Sequence, residues 1–376
     1  MSLFAGPVGF VVAAAAGVAA GLLLKRFGGW MVAELDAAAE DEGLPIPTRR
    51  PPGRLEHWPT VVGGLLAVGL WGWEGAAAGD AGDAAGATPV RAAAHFIFFW
   101  LLTVAAWVDI RHRVIPDLIT TPGVLAGLAA TWLAPEILLP VVTMSPRNFA
   151  AAEPVADLLA AWGGLRAGGP PVSPLGLPVA VGIFTLWWLG CTAPLLPDDA
   201  EASPGRSRRW GWLREPRTLV LLAGLPLLVA AGLSGGLRFA AVESSLIGLA
   251  VSAGLVWLTR SGASLALGRE AMGMGDVTLM AMVGSWLGWQ PAVLTFFLAT
   301  FIGLGHGLFQ VLRHREHELP YGPSLCLAAA IVTVAWRPVW DATEPFFADP
   351  LQLAVVLGLV VILTAVTLFI WQWLRG

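Results

Sequence analysis

The sequence predicts an all-α protein: a polytopic transmembrane helical bundle of about eleven spans. Three observations predict this class. The 376 residues are 56% hydrophobic and only 13% charged, the mean hydropathy is +0.72, and several apolar runs reach the roughly 20 residues that cross a bilayer as a helix. The net charge of −4 and the lack of a basic patch argue against nucleic acid, so the lipid bilayer is the first partner expected.

The first apolar run is followed, not preceded, by Lys25 and Arg26. Secretory signals have the reverse order, so we expect an uncleaved first span with the N-terminus outside. An odd number of spans then places the C-terminus inside. Hydropathy predicts the spans, in chain order, at 3–24, 59–74, 92–109, 118–134, 176–196, 218–236, 241–260, 276–290, 292–312, 322–338 and 351–373.

The distribution of positive charge agrees with this topology, which assigns 17 of the 22 Lys and Arg residues to the cytoplasmic side. Such an excess is what the positive-inside rule requires. The loop at 25–58 is predicted to be cytoplasmic. The loop at 135–175 is predicted to be extracytoplasmic, with one short helix near 153–166, and the acidic segment 341–349 is placed outside as well.

Two aspartates stand out, because a charge at membrane depth costs free energy unless it is paired, solvated or used. Asp276 follows Gly273 and Gly275 at the start of the eighth span, and Asp109 closes the third span shortly before Pro116 opens the fourth. The topology puts both carboxyls on the cytoplasmic side. Two carboxyls within hydrogen-bond reach can divide the work of peptide hydrolysis, one taking a proton from water and the other donating to the scissile carbonyl.

The two glycines have a mechanical interpretation. Gly273 and Gly275 lack a Cβ, so the backbone can approach closely and adopt positive φ. Irregular backbone at membrane depth lines protein or a water-filled cavity, and a hydrolase at the membrane edge needs such a cavity. Asp276 would lie at the positive end of its helix dipole, which favours a negative charge and the role of base.

The sequence gives little support to other kinds of hydrolytic site. The chain contains neither HExxH nor GxSxG, its six histidines show no metal-ligand spacing, and Cys191 and Cys326 both lie in apolar runs. No cofactor and no metal are therefore expected. Each aspartate alone also has a structural interpretation. Asp276 could be a helix N-cap, and Asp109 could be an interfacial residue neutralised by Arg111 or Arg113.

Three segments resemble the type IV prepilin peptidase family, the GxGD-type membrane aspartic proteases related to preflagellin peptidases. "DIRHRVIPDLITTPGVLAGL" (109–128) is similar to the family's first aspartate motif. Residues 243–289, which end in "REAMGMGDVTLMAMVGSWLGW", resemble the span that leads into its GxGD motif. "LPYGPSLCLAAAI" (319–331) resembles its later proline-glycine-proline segment.

The resemblance implies that Asp109 and Asp276 are the catalytic pair, supported by Gly273, Gly275 and Pro116. It also implies prepilin or pseudopilin precursors as partners, of type IV pilus or type II secretion systems. Their leaders would be cut after a Gly at the cytoplasmic face of the inner membrane.

The chain departs from the family pattern in two respects. Thr278 stands where a lysine is common, and the cytoplasmic loop holds none of the cysteines found in larger members. Methyl transfer to the new N-terminus is therefore doubtful. The predicted organisation is N-terminal spans with the cysteine-free loop (1–91), core spans with the first Asp (92–134), an insertion with two extra spans (135–240), core spans with the GxGD motif (241–338) and an extra span (339–376).

Two alternatives stay open at the level of sequence. The same pair of aspartates could act on another signal-anchored substrate. The aspartates could instead bind a cation in a transporter or a non-catalytic scaffold, although transporters more often place acids near the bilayer midplane.

Overall fold

The structure is a computed structural model that describes residues 7–41, 65–73, 88–139, 176–192, 216–268, 270, 272–314, 321–347, 355, 358 and 362. Every regular element within these ranges is helical, which confirms the all-α class. The helices are α1 (Pro7–Asp41), α2 (65–73), α3 (Thr88–His112), α4 (Asp117–Leu133), α5 (Gly176–Thr192), α6 (Pro216–Ser234), α7 (Gly236–Leu267), α8 (Met274–Leu287), α9 (Trp289–His314), α10 (Gly322–Val334) and α11 (Trp336–Phe347), with a 3₁₀ turn at Pro135–Ile137.

Three of the described helices are long and apolar enough to cross a membrane. They comprise Val11–Ala37, Val90–His112 and Arg238–Ala266, with 27, 23 and 29 residues. Shorter apolar helices occur at most of the other predicted spans, among them α4, α8 and α10. The predicted span at 351–373 and the short helix near 153–166 lie outside the described residues, apart from three helical positions in the former.

Helix α1 is longer than hydropathy predicts. Residues 25–41 were expected to begin a loop, but the helix continues through them to Asp41. The segment "MVAELDAAAED" (31–41) is rich in Ala, Leu, Met and Glu, which favour the helix although they lower the hydropathy. Leu24 and Met31 are two turns apart and both buried, so the extension continues one packed face.

Helix α11 was not predicted, because residues 341–349 read as an acidic loop. The helix is strongly amphipathic. Trp336 and Trp340, one turn apart, are both buried, with ring centroids 5.3 Å apart, while Asp341 is exposed. Burial of this aromatic pair stabilises a helix that has too little total hydropathy to be recognised as a span.

The chain folds into two compact units that are interleaved in sequence. The first comprises Met1–Ile119 and Ala299–Ala330, and the second comprises Thr120–Leu298 and Ile331–Gly376. In the first unit, α3 packs on α1: the Trp100 indole donates to the Ala20 carbonyl at 2.9 Å, and a Cβ on Gly28 would lie 2.6 Å from the Trp107 ring.

In the second unit, α7 and α8 pack with their backbones almost in contact. A Cβ on Gly248 would overlap the carbonyl oxygen of Gly284, and a Cβ on Gly284 would overlap Gly248 in return. The Ser252 hydroxyl donates to the Met280 carbonyl at 2.7 Å, and the Ser245 hydroxyl donates to the Ser285 carbonyl. Small residues and hydroxyl bonds are typical of close helix pairs in membranes, and here they fix the position of α8.

Candidate active site

Asp276 lies in the first turn of α8 and is buried, with 8% of its surface exposed. The helix begins at Met274, and its N-cap residue is Gly273. Asp276 is therefore not the N-cap that one structural interpretation proposed. Asp276 is an acidic residue in the first turn of α8, where the backbone N–H groups without a partner in the helix favour negative charge.

The expected positive φ in the GxGD segment is wrong for both glycines. Gly273 has φ −68° and ψ 152°, which is extended backbone, and Gly275 is helical. A Cβ on Gly273 would meet nothing closer than the Gly275 nitrogen, at 3.9 Å. The nearby glycine in the left-handed region is Gly268, with φ 63°, which ends α7. The turn that needs a glycine therefore precedes the motif.

A chain of hydroxyl groups fixes the first turn of α8 to α4. Thr120 donates to the Thr278 hydroxyl at 3.0 Å, and Thr278 donates to the Gly275 carbonyl at 3.1 Å. Both threonines are buried, with 0% and 2% of their surfaces exposed. Further along α8, the Trp286 indole donates to the Gly123 carbonyl at 2.9 Å. At position 278, where the family resemblance implies a lysine, the side chain is thus a shorter, buried threonine with a hydroxyl group.

Asp109 lies in the last turn of α3, in the first unit, and is 4% exposed. Hydropathy ended this span at Asp109, but the helix continues to His112. The positive charge of Arg111 in the last turn is favourable at the negative end of the helix dipole. Among the described residues, the Oδ2 atom of Asp109 is buried without a hydrogen-bond partner. A buried carboxyl oxygen is able to accept a proton or a donor from a ligand.

Gly322, the first residue of α10, lies against this carboxyl. Its backbone amide faces the Asp109 carboxylate. A Cβ at Gly322 would lie 2.5 Å from Oδ2 of Asp109 and 2.8 Å from Cδ1 of Ile115. No side chain fits there without displacing the carboxyl, so glycine is required by close approach. In the sequence, the "LPYGP" segment stands out only by its resemblance to the family, and Gly322 was not among the predicted site residues.

Arg111 and His112 pair with an acid on α1. The Arg111 Nη2 and His112 Nε2 atoms lie 3.4 Å and 3.6 Å from the Asp36 carboxylate, which is buried. Arg111 therefore pairs with Asp36, contrary to the interpretation in which it neutralises Asp109. Asp36 had no place in the predicted site, because hydropathy predicts a loop for its segment.

Pro116 lies in the connection between α3 and α4, and its carbonyl accepts the Ile119 amide at 3.0 Å. The connection begins at Arg113, whose φ of 57° is positive and whose amide bonds to the Asp109 carbonyl at 2.8 Å. This left-handed residue ends α3 one turn after Asp109, and Pro116 then precedes the first helical residue of α4.

The structure thus describes each predicted site residue within its own unit: Asp109 and Pro116 in the first, Gly273, Gly275 and Asp276 in the second. Within the described ranges, no three His, Cys, Asp or Glu side chains gather as a metal ion would need. Chemically, each buried carboxyl can take up or release a proton.

Comparison with known proteins places one family on this region. Residues 213–308, which include Asp276, match the sequence model of the type IV leader peptidase family. The predicted resemblance to the prepilin peptidase family is confirmed by this match and by the relatives below.

The curated relatives are named prepilin leader peptidase/N-methyltransferase. The Aeromonas hydrophila protein is 33% identical over 113 residues, 28% of this chain and 38% of the relative. The Dickeya chrysanthemi protein is 30% identical over 185 residues, 47% and 58% of the two chains, and the Pseudomonas aeruginosa protein is 36% identical over 97 residues, 25% and 33%. The chain thus spans between a third and three fifths of the length of these relatives. No solved structure matches the chain.

Proposed function

We propose that this chain is a membrane-embedded aspartic endopeptidase in which Asp109 and Asp276 form the catalytic pair. The observation that carries the proposal is the GxGD segment: a buried Asp276 at the N-terminus of α8, within the residues that match the type IV leader peptidase family. The burial of the Asp109 carboxyl in the last turn of α3 supports its assignment as the second member.

In the proposed mechanism, Asp276 and Asp109 each transfer a different proton. Asp276, at the positive end of its helix dipole, takes a proton from water as the water oxygen attacks the scissile carbonyl carbon. Protonated Asp109 donates a hydrogen bond to the carbonyl oxygen and then its proton as the tetrahedral intermediate forms. Collapse of the intermediate breaks the C–N bond as Asp276 gives the proton it took from water to the leaving nitrogen. Asp109 takes back a proton from one hydroxyl of the intermediate, which becomes the carbonyl of the new carboxyl group. No covalent intermediate is needed.

The substrates are inferred from the relatives' names. We propose precursors of the prepilin or pseudopilin type, whose short basic leader precedes a hydrophobic helix. Cleavage occurs after a Gly at the cytoplasmic face of the inner membrane. The predicted topology supports this sidedness, because it places both aspartates and most basic residues inside. We propose the peptidase activity alone, since the predicted cytoplasmic loop 25–58 has no cysteine.

A cleavage assay with defined precursors tests the proposal. The full chain, purified in detergent and returned to lipid vesicles, is incubated with a synthetic precursor containing a basic leader, a Gly and a 20-residue apolar helix. We expect a single cut after the Gly, identified by mass spectrometry. A matched precursor with Val in place of that Gly, and a signal-anchored protein without such a leader, should stay intact. Cleavage of the signal-anchored protein alone would favour the alternative substrate class.

A further inference from the structure

A second charged residue lies close to the GxGD segment and has no place in the mechanism above. Arg260 belongs to the last two turns of α7 and is buried, with 7% of its surface exposed. A guanidinium in an apolar helix costs several kcal/mol unless its donors are occupied. The groups that Arg260 contacts therefore indicate its structural role.

Both partners of Arg260 belong to the connection between α7 and α8. Its Nε donates to the Met272 carbonyl at 2.7 Å, and its Nη2 pairs with the Glu270 carboxylate. The left-handed turn at Gly268 ends α7. Glu270 and Met272, which follow this turn, contact the side chain of Arg260, about two turns before the end of α7. Met272 is bonded directly before Gly273, the N-cap of α8.

We propose that Arg260 is a positioning residue that holds Glu270 and Met272, in the segment that precedes α8, and thereby sets the orientation of Asp276. The inference rests on the proposed function, because it assigns to Arg260 a part in the same hydrolysis. Arg260 touches no reacting atom. It acts by holding Met272, four residues before the carboxylate that takes the proton, and thereby fixes where α8 begins.

The two contacts differ in strength. Glu270 is 58% exposed at its side chain, so solvent screens its ion pair with Arg260. The Met272 carbonyl accepts from a charged, buried donor, which is the stronger type of hydrogen bond. The planar fork of arginine can satisfy both acceptors at once, whereas the ammonium group of lysine is a single point charge.

The test compares cleavage kinetics of Arg260→Gln with those of Arg238→Gln, which changes an exposed arginine on the same helix. Misplacement of Asp276 should lower kcat about ten- to hundredfold with little change in KM, while Arg238→Gln stays at the wild-type rate. Glu270→Gln should have a smaller effect. The double variant Arg260→Gln/Glu270→Gln should be no worse than Arg260→Gln, because both contacts depend on the same guanidinium.

A second readout does not depend on activity. With Cys191 and Cys326 replaced by Ala, Met272→Cys reports on the segment through its rate of reaction with a water-soluble maleimide. Adding Arg260→Gln should raise that labelling rate at least about tenfold, because one hydrogen bond from a charged donor is lost. If Arg260→Gln fails to insert, Arg260→Lys is used, and a lowered kcat with normal insertion supports the inference.

Wild-type kcat together with an unchanged labelling rate for Arg260→Gln overturns the inference. Equal losses in kcat for Arg238→Gln and Arg260→Gln overturn it too, because the effect would then not be specific to the contacts of Arg260 with Glu270 and Met272. If Asp276→Asn still cleaves the precursor, the proposed function fails, and the labelling rates alone then decide whether Arg260 holds the segment.

Discussion

Asp109 and Asp276 have different surroundings, and this difference leads to separate roles for the two carboxyls. Replacing either by the isosteric amide removes a proton donor or acceptor without changing volume. We therefore expect Asp109→Asn and Asp276→Asn each to lower cleavage by about 10²–10⁴-fold, with normal membrane insertion. Asp117→Asn, at the first residue of α4, is the control and should retain activity. Full cleavage of the precursor by either catalytic variant would refute the assignment.

Gly322 has the most restrictive contact around the Asp109 carboxyl. In Gly322→Ala, the new methyl would have to displace either Asp109 or Ile115, and a shift of about 1 Å at a catalytic group can cost about 10²-fold in rate. Gly303→Ala is a matched control, because its Cβ would meet Tyr321 at an ordinary 3.5 Å. Cleavage rates and thermal unfolding are measured for both. Equal rates for the two variants would show that the close contact has no bearing on catalysis.

The junction of α4 and α8 depends on the buried hydroxyl pair of Thr120 and Thr278. Thr278→Val keeps the volume but leaves the Thr120 hydroxyl without its partner. The expected cost is about 1–3 kcal/mol of stability, measured as a lower midpoint of unfolding in detergent. Thr278→Ser keeps the hydroxyl and should stay closer to the wild type. If Thr278→Val unfolds at the wild-type midpoint, the hydroxyl pair does not stabilise the junction.

At the scale of single elements, hydropathy and local chemistry predicted most helices but not their ends. The bounds of α4 and α5 lie close to prediction because each is flanked by Pro or Gly. Helix α1 was predicted too short, since alanine-rich helix outside the apolar run has helix propensity but little hydropathy. Helix α11 was missed because its apolar face is narrow, and the burial of Trp336 and Trp340 on that face depends on tertiary packing that hydropathy does not show.

The candidate site was predictable to the extent that its residues carry a local pattern. A Gly-x-Gly-Asp sequence at the start of an apolar run is visible in one segment, so Gly273, Gly275 and Asp276 were selected. The contact of Gly322 with Asp109 joins positions over 200 residues apart and has no local signature. The same holds for Asp36 with Arg111. Long-range contacts of this kind become visible only when the chain is folded.

The proposed chemistry requires the two carboxyls to come within hydrogen-bond reach in the active state, on one side of the membrane. We expect Asp109→Cys and Asp276→Cys, introduced together with Cys191 and Cys326 replaced by Ala, to be joined by a short bifunctional reagent in membrane vesicles. Crosslinking is scored by a mobility shift after the chain is cut between the two positions. Labelling of the two positions from opposite sides of the membrane would contradict both the pairing and the topology.

At the scale of the whole chain, the sequence predicts whether the new N-terminus of the product is methylated. The relatives' names include N-methyltransferase, yet the predicted cytoplasmic loop 25–58 has no cysteine and a single histidine, His57. A closed structural zinc site needs four Cys or His ligands, which this loop cannot supply. We therefore expect the mature substrate made by this enzyme alone to carry an unmethylated terminus or only a small methylated fraction.

Mass spectrometry of the product, with S-adenosylmethionine supplied as methyl donor, measures this directly. A relative that contains the cysteines serves as the positive control. A fully methylated product would show that methyl transfer needs no cysteine-bound metal, and its site would then have to lie among the membrane helices.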